Sequence, residues 1–287
     1  MAFVHPEKIK KLELIANDIR MSIIDMLEDA GSGHTAGPLG MADVFTALYF
    51  HSASHKPDDP LWEDRDRIIL SNGHIVPVRY ASMAHAGYFP VEELKTLRKF
   101  GGRLQGHPER IKLASLETTS GPLGSGLSQA SGIALAGKMD KKKFMTFCLM
   151  SDGEMQAGNI WEAAMFASAH KLSNLIGIID RNNIQINGMT EDVMPLESLR
   201  LKWEAFNWHV IEVNGHNIEE IIYAIDTARA IVEKPIMIIA HTIPGKGIKE
   251  IEFDYTWHGK PPTKEQEKKF LEELRTLRGK IISTHHE

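Results

Sequence analysis

The chain has 287 residues, with 33 Lys and Arg against 38 Asp and Glu, and the formal net charge of −5 leaves no basic footprint for nucleic acid. Hydrophobic residues make up 43% and charged residues 25%, an ordinary globular composition, and a chain of this length supports a large core without staples. No apolar run approaches the ~18 residues that span a bilayer, Glu7 to Glu28 is charged throughout where a signal peptide would be apolar, and the lone Cys148 excludes an internal disulfide. The expectation is a cytoplasmic protein with no membrane contact.

In chain order, Leu12, Ile15, Ile19, Ile23 and Met26 recur at three- and four-residue steps, which predicts an amphipathic helix ending near Gly31. A glycine-rich stretch, Gly31 to Gly40, leads to a second helix over Met41 to Phe50, so the N-terminal helices occupy 7–50. That stretch follows a helix, whereas a dinucleotide-binding fingerprint must follow a strand. Arg67 to Leu70 predicts a short strand ending at Ser71-Asn72-Gly73-His74. Pro90 to Phe100 reads as a helix, with proline first and Glu92 and Glu93 at its N-terminal dipole. Lys141-Lys142-Lys143 reads as a solvated turn.

Strands and helices then alternate. Strands are expected at Phe144 to Met150, Leu175 to Ile179, Val210 to Val213 and Ile236 to Ala240. Helices are expected at Asn159 to His170 and Ile218 to Val232, with a polar loop at Asp180 to Asn187. Apolar runs without polar alternation imply strands covered on both faces. The order predicts a doubly wound α/β fold, a mostly parallel sheet with helices on both faces. No repeat or composition break marks a second domain, so residues 1–287 are expected to form one. The tail, 263–282, predicts a helix whose Phe270, Leu274, Leu277 and Ile281 stripe packs on the parent domain.

Ser151-Asp152-Gly153 and Asp180-Arg181-Asn182-Asn183 each follow a predicted strand. In an open parallel sheet, loops at the carboxyl ends of strands form the ligand crevice. A carboxylate from one loop and an amide oxygen from its neighbour are hard ligands suited to Mg²⁺ or Ca²⁺, with phosphate oxygens and water completing the shell. Gly153 allows close backbone approach, and the following helix points N–H groups at an anion. Asp-Gly and Asn-Asn are also common turn pairs. His34, His74, His107 and His258, among the fourteen histidines, each adjoin a glycine in a loop. Such imidazoles can hold phosphate and shuttle protons near neutral pH. The absence of a Cys pair or a His-Glu-x-x-His spacing weighs against zinc.

The Asp152 and Asn182 loops, 30 residues apart, resemble the metal and diphosphate motif of thiamine-diphosphate enzymes, with Ser151 where a glycine is usual. The resemblance implies that Mg²⁺, Ca²⁺ or Mn²⁺ takes Asp152, the Asn182 side chain and the Ile184 carbonyl and tethers thiamine diphosphate. It also places Gly153 and Glu154 in the cofactor site. Ser32-Gly33-His34, Gly37-Pro38-Leu39-Gly40-Met41, Leu70-Ser71-Asn72-Gly73-His74, Gly106-His107-Pro108-Glu109 and Thr119-Ser120-Gly121-Pro122-Leu123-Gly124 resemble the loops of transketolases. Thr35 stands where proline is usual. The likeness runs from about Glu7 to Pro262. It implies that His74, His107, Gly121 and His258 touch the cofactor diphosphate or the donor ketose. It also implies that His34 faces the sugar hydroxyls and moves protons, and that Leu123 lies against the thiamine rings. His34, His107 and His258 are the implied catalytic residues.

Two departures matter. Gln156-Ala157-Gly158 stands where Gln-Glu-Gly is usual, so a glutamate of an inter-protomer carboxylate network is missing while Glu162 remains. Transketolase chains are also more than twice this long, and the pyrimidine-binding half is absent. The resemblance therefore implies the N-terminal subunit of a split transketolase, which transfers a two-carbon ketol group from a ketose phosphate to an aldose. A separate C-terminal subunit completes it, with two copies of each chain. An α-type chain of a 2-oxo acid dehydrogenase shares the metal motif but lacks the histidine set. A non-catalytic subunit that kept the fold is the reading Ala157 supports.

Overall fold

The computed structural model describes residues 4–284. Its strands are β1 (Arg67–Leu70), β2 (Thr146–Ser151), β3 (Leu175–Arg181), a short antiparallel pair β4 (Ile184–Gln185) and β5 (Gly188–Met189), β6 (His209–Asn214) and β7 (Ile236–His241). Five of them form one parallel sheet in the order β1-β2-β3-β7-β6. Every residue of β2 and β3 is buried, as expected of apolar strands covered on both faces.

Alternation along the strands divides the core. Phe147, Leu149, Ile176, Ile178, Ile236 and Ile238 face one layer, whose helices are α1 (Pro6–Ala30), α2 (Ala36–Gly40), α3 (Ala42–Ala47), α4 (Val76–His85), α9 (Ile218–Ala230) and α10 (Lys264–Thr284). Cys148, Met150, Leu175, Ile179, Met237 and Ile239 face the other, formed by α5 (Ser125–Met139), α6 (Gly158–Ala169) and α8 (Leu199–Ala205). A short α7 (Thr190–Val193) follows the β4–β5 pair. The doubly wound α/β reading holds. Among the described residues, no helix is long and apolar enough to cross a membrane.

The expected N-terminal helix ends at Ala30, where Gly31 takes a left-handed φ of 62° and donates to the Leu27 and Glu28 carbonyls. The C-terminal helix packs on α1 through buried Phe270 and Leu274, and Asn17 Nδ2 donates to the Leu274 carbonyl at 3.1 Å. Lys141 to Lys143 are exposed in a turn, as expected.

Three expectations are corrected. Pro90 to Phe100 is not an α-helix but a 3₁₀ segment, Val91–Thr96, closed by Arg98 at φ 60°. Val91, Leu94 and Leu97 recur every three residues, a period that suits 3₁₀ geometry and gives no α stripe. The helix expected over Met41 to Phe50 is α3 followed by a π turn at Leu48–Ser52, and the glycine-rich stretch before it coils into α2. Gly40 is needed there, because a Cβ would sit 3.0 Å from the Ile243 carbonyl oxygen. Finally, Asp180 and Arg181 are not loop but the buried end of β3, with β4 and β5 following.

Candidate active site

The parallel register sets Ser151 beside Asp180, so the loops after β2 and β3 leave the sheet side by side. Asp152 is fully buried and Asn182 is nearly so. Asn183 N donates to Asp152 Oδ2 at 2.7 Å and fastens one loop to the other. Asn183 itself sits at φ 62°, a left-handed position that asparagine tolerates. The Asn182 amide donates to Asp180 Oδ2 at 2.7 Å, and its Oδ1 accepts from Ile184 N at 3.0 Å. Asp180 also accepts from the Thr242 hydroxyl. Burial pushes Asp180 up to about 7, with the charge of Asp152 adding, against the hydrogen bonds from Thr242 and Asn182.

Above these residues lies a cleft of about 180 Å³, lined by His74, Leu123, Ser151, Gly153, Ile184, Gln185, Ile186, Asn187 and His258. Leu123 is exposed, as is Gly121 two residues before it. The His34, His74 and His258 rings form a triangle, with centroids 4.8, 5.4 and 5.2 Å apart. His107 joins them through Gly73, where a Cβ would lie 3.1 Å from His107 Cδ2. Four glycine-flanked histidines from distant loops thus come together. A larger groove of about 610 Å³ runs along α10 and contains none of them.

All four imidazoles are pushed towards the neutral form. Burial lowers His34 to about 4, helped by His258, Arg98 and His107. Burial also lowers His74 well below the ordinary imidazole value, with His34, His258 and His107 adding. Burial and then Arg98 lower His107, and burial lowers His258. An unfolded chain binds protons from pH ~6.5 downward, whereas the folded His34 waits until about 4. Stability is therefore complete above pH ~6.5 and falls as the pH drops towards 4. For His34 the loss is ~1–2 kcal/mol after allowance for its partial exposure. Urea unfolding of the wild type and His34→Asn at pH 7.5 and 4.5 checks this. The wild type should lose more stability than the variant between the two pH values, and equal losses contradict the assignment.

Glu154 is a brace. Its Oε1 accepts from the Ser71 hydroxyl and from Gly124 N at 2.5 Å, and its Oε2 accepts from Ser151 N at 3.2 Å. It ties the Leu123 loop to the ends of β1 and β2. The first N–H of the turn after β2 is also engaged, since Gly153 N donates to Asp152 Oδ1 at 2.6 Å.

The donor set fits a hard divalent cation. It offers a buried carboxylate, an amide oxygen and a backbone carbonyl, and no three His, Cys, Asp or Glu side chains among the described residues gather to hold an ion by themselves. Two buried polar atoms nearby, His34 Nδ1 and Gln185 Nε2, have no protein partner. Gln185, Ile186 and Asn187, which carry no motif in the sequence, also line the cleft. Ile186 is 69% exposed, and an apolar residue inside a polar loop was the available signal.

Over residues 11–276 the chain matches the family described as "Transketolase, thiamine diphosphate binding domain". It is 41% identical over 267 residues to an apulose-4-phosphate transketolase subunit of Phocaeicola vulgatus, covering 93% of this chain and 95% of that one. It is 41% identical over 259 residues to a 6-deoxy-6-sulfo-D-fructose transketolase subunit of a Clostridium species, covering 90% of this chain and 94% of that one. The crystal structure of the Campylobacter jejuni transketolase superimposes with a TM-score of 0.86 at 34% identity, over 93% of this chain but 42% of that one. With the sheet, the clustered histidines and the hard-oxygen donors in agreement, the chain belongs to the transketolase family, in which it forms the thiamine-diphosphate-binding part.

Proposed function

We propose that this chain is the N-terminal subunit of a two-chain transketolase, transferring a two-carbon ketol group from a ketose phosphate to an aldose with thiamine diphosphate and Mg²⁺. The observation that carries the reading is a single cleft where His74, His258, Leu123, Gly153 and Ile184 meet, with Asp152 and Asn182 beneath it. Two relatives matching this chain over nearly their whole length are named as subunits, which supports a separate partner. Two copies of each chain would close by two-fold symmetry. The single, fully buried Cys148 supports a cytoplasmic setting.

Asp152, the Asn182 side chain and the Ile184 carbonyl would hold the ion, and the ion the diphosphate. Thiamine diphosphate, when bound, supplies the electron sink that a two-carbon carbonyl fragment needs. Leu123 offers an apolar wall to its rings. The neutral imidazoles of His34, His107 and His258 can accept a hydroxyl proton and return it, which suits opening and closing of a sugar C–C bond at neutral pH. His34 Nδ1 is the clearest candidate, being buried with no protein partner.

Mixed with a chain carrying the pyrimidine-binding half, thiamine diphosphate, Mg²⁺, xylulose 5-phosphate and ribose 5-phosphate, the protein is expected to form sedoheptulose 7-phosphate. Absence of two-carbon transfer to any aldehyde acceptor would overturn the proposal. Pyruvate with an artificial electron acceptor should give no oxidation, which separates this reading from a 2-oxo acid dehydrogenase component.

A further inference from the structure

Arg181 ends β3 with its side chain only 3% exposed, and nothing in the reading above uses it. Its Nη1 donates to Asp152 Oδ2 at 3.0 Å. Its Nη2 donates to Glu191 Oε1 at 2.6 Å and to Glu197 Oε1 at 2.8 Å. Asp152 Oδ2 thereby carries two strong donors, Arg181 and Asn183 N. Oδ1 carries Gly153 N at 2.6 Å and only a distant Thr190 hydroxyl at 3.4 Å, so it is the less engaged oxygen.

We propose that Arg181 is an internal counter-charge for Asp152, which holds down the affinity of the site for a bare divalent cation and makes the ion and the diphosphate bind together. The inference rests on the metal reading of Asp152 given above. A buried carboxylate needs a partner charge, and here the chain provides one from its own sheet. A divalent ion on the same carboxylate shares it with a guanidinium, and the two cations repel in a poorly screened interior. Glu191 and Glu197 draw off part of the guanidinium charge, but they are 35% and 57% exposed and solvent screens them. The negative charge of a diphosphate offsets the remainder. By linkage, each ligand then strengthens the other by the same factor.

Two variants move the balance in opposite directions. Arg181→Gln removes the competing charge and should tighten Mn²⁺ binding about tenfold in the absence of diphosphate. Glu191→Gln combined with Glu197→Gln leaves the guanidinium undivided on Asp152 and should weaken Mn²⁺ binding about fivefold. Both glutamates lie near the surface, so the double variant decides the matter if Arg181→Gln does not fold. A merely structural Arg181, pinning the segment that carries Glu191 and Glu197, would not tighten the ion when removed.

The experiment is a Mn²⁺ titration of the assembled enzyme by electron paramagnetic resonance, with and without thiamine diphosphate, alongside Asp152→Asn. Opposite shifts in the two variants, with binding lost in Asp152→Asn, support the proposal. If Mn²⁺ binding requires Asp152 but neither variant moves its constant more than about twofold, the proposal is overturned and the metal reading stands. If the wild type takes up no Mn²⁺ even with the cofactor, or Asp152→Asn binds like the wild type, the metal reading fails and this proposal with it.

Discussion

Asp152→Ala is expected to lower turnover of the assembled enzyme by more than about 100-fold, since loss even of an outer-shell partner of a metal costs ~10–100-fold. Asp152 is the only side-chain carboxylate in the proposed ligand set, and the amide and carbonyl oxygens beside it carry no charge to hold a divalent ion. The fold should survive the change. Arg181 keeps Glu191 and Glu197, so no buried cation is stranded. Asn183 N and Gly153 N each lose an acceptor, at ~1–3 kcal/mol apiece. Circular dichroism and melting should therefore report a folded protein while steady-state rates collapse. Retention of turnover within threefold of the wild type would favour a protein that kept the fold without the chemistry.

The second large effect concerns stability, away from the cleft. Arg20 on α1 is 4% exposed and meets Asp43 on α3 at 2.5 and 3.2 Å, while its Nε donates to the Leu39 carbonyl at 3.1 Å. Asp43 also accepts from His216 Nδ1 at 2.8 Å, and His216 Nε2 accepts from Ile243 N at 2.7 Å. Because a backbone N–H can only donate, His216 is the Nδ1–H tautomer in this arrangement. Burial would raise the Asp43 carboxyl, but the charge of Arg20 and hydrogen bonds from His216 and Arg20 hold it below its ordinary value. Asp43→Asn strands a buried guanidinium at ~3–5 kcal/mol. The melting midpoint should fall by about 10 °C. The replacement of both partners, Arg20→Met with Asp43→Leu, should recover most of that loss. A melting point for Asp43→Asn within a degree or two of the wild type contradicts this account. The network ends at Ile243, one residue from the Thr242 hydroxyl bound to Asp180, so loosening it also slackens the backbone beside the proposed metal site.

How much is legible in the sequence depends on where each residue finds its partners. β1, β2, β3 and β7 are readable because strands covered on both faces are written as apolar runs, and the edge strand β6 is readable from Val210, Ile211 and Val213 although Glu212 is exposed. α1 is readable from its stripe and from Gly31. α5 is not: glycines at 126, 132 and 137 dilute its pattern, and two of them answer to packing outside the helix. A Cβ on Gly126 would strike Ser71, and one on Gly137 would lie 2.7 Å from the Phe144 ring. Local propensity says little where tertiary contact dictates the residue type.

The same distinction holds in the site. Asp152 and Asn182 are visible because each follows a recognisable strand, and the sheet register does the rest. The histidines are visible through their glycines. Glu154, which the family resemblance groups with the cofactor residues, spends its carboxylate on Ser71, 83 residues away, and on Gly124, 30 residues away. No local spacing announces such a brace. Arg181 reads as part of a polar loop because its counter-charges, Glu191 and Glu197, follow 10 and 16 residues later in a segment without periodicity.

The most direct test is calorimetric titration of thiamine diphosphate into the assembled enzyme, in Mg²⁺ and again in EDTA. Saturable binding that disappears in EDTA and in Asp152→Ala is the expected result. Binding of equal strength in all three conditions would contradict a cation held by Asp152 and Asn182 as the anchor of the coenzyme.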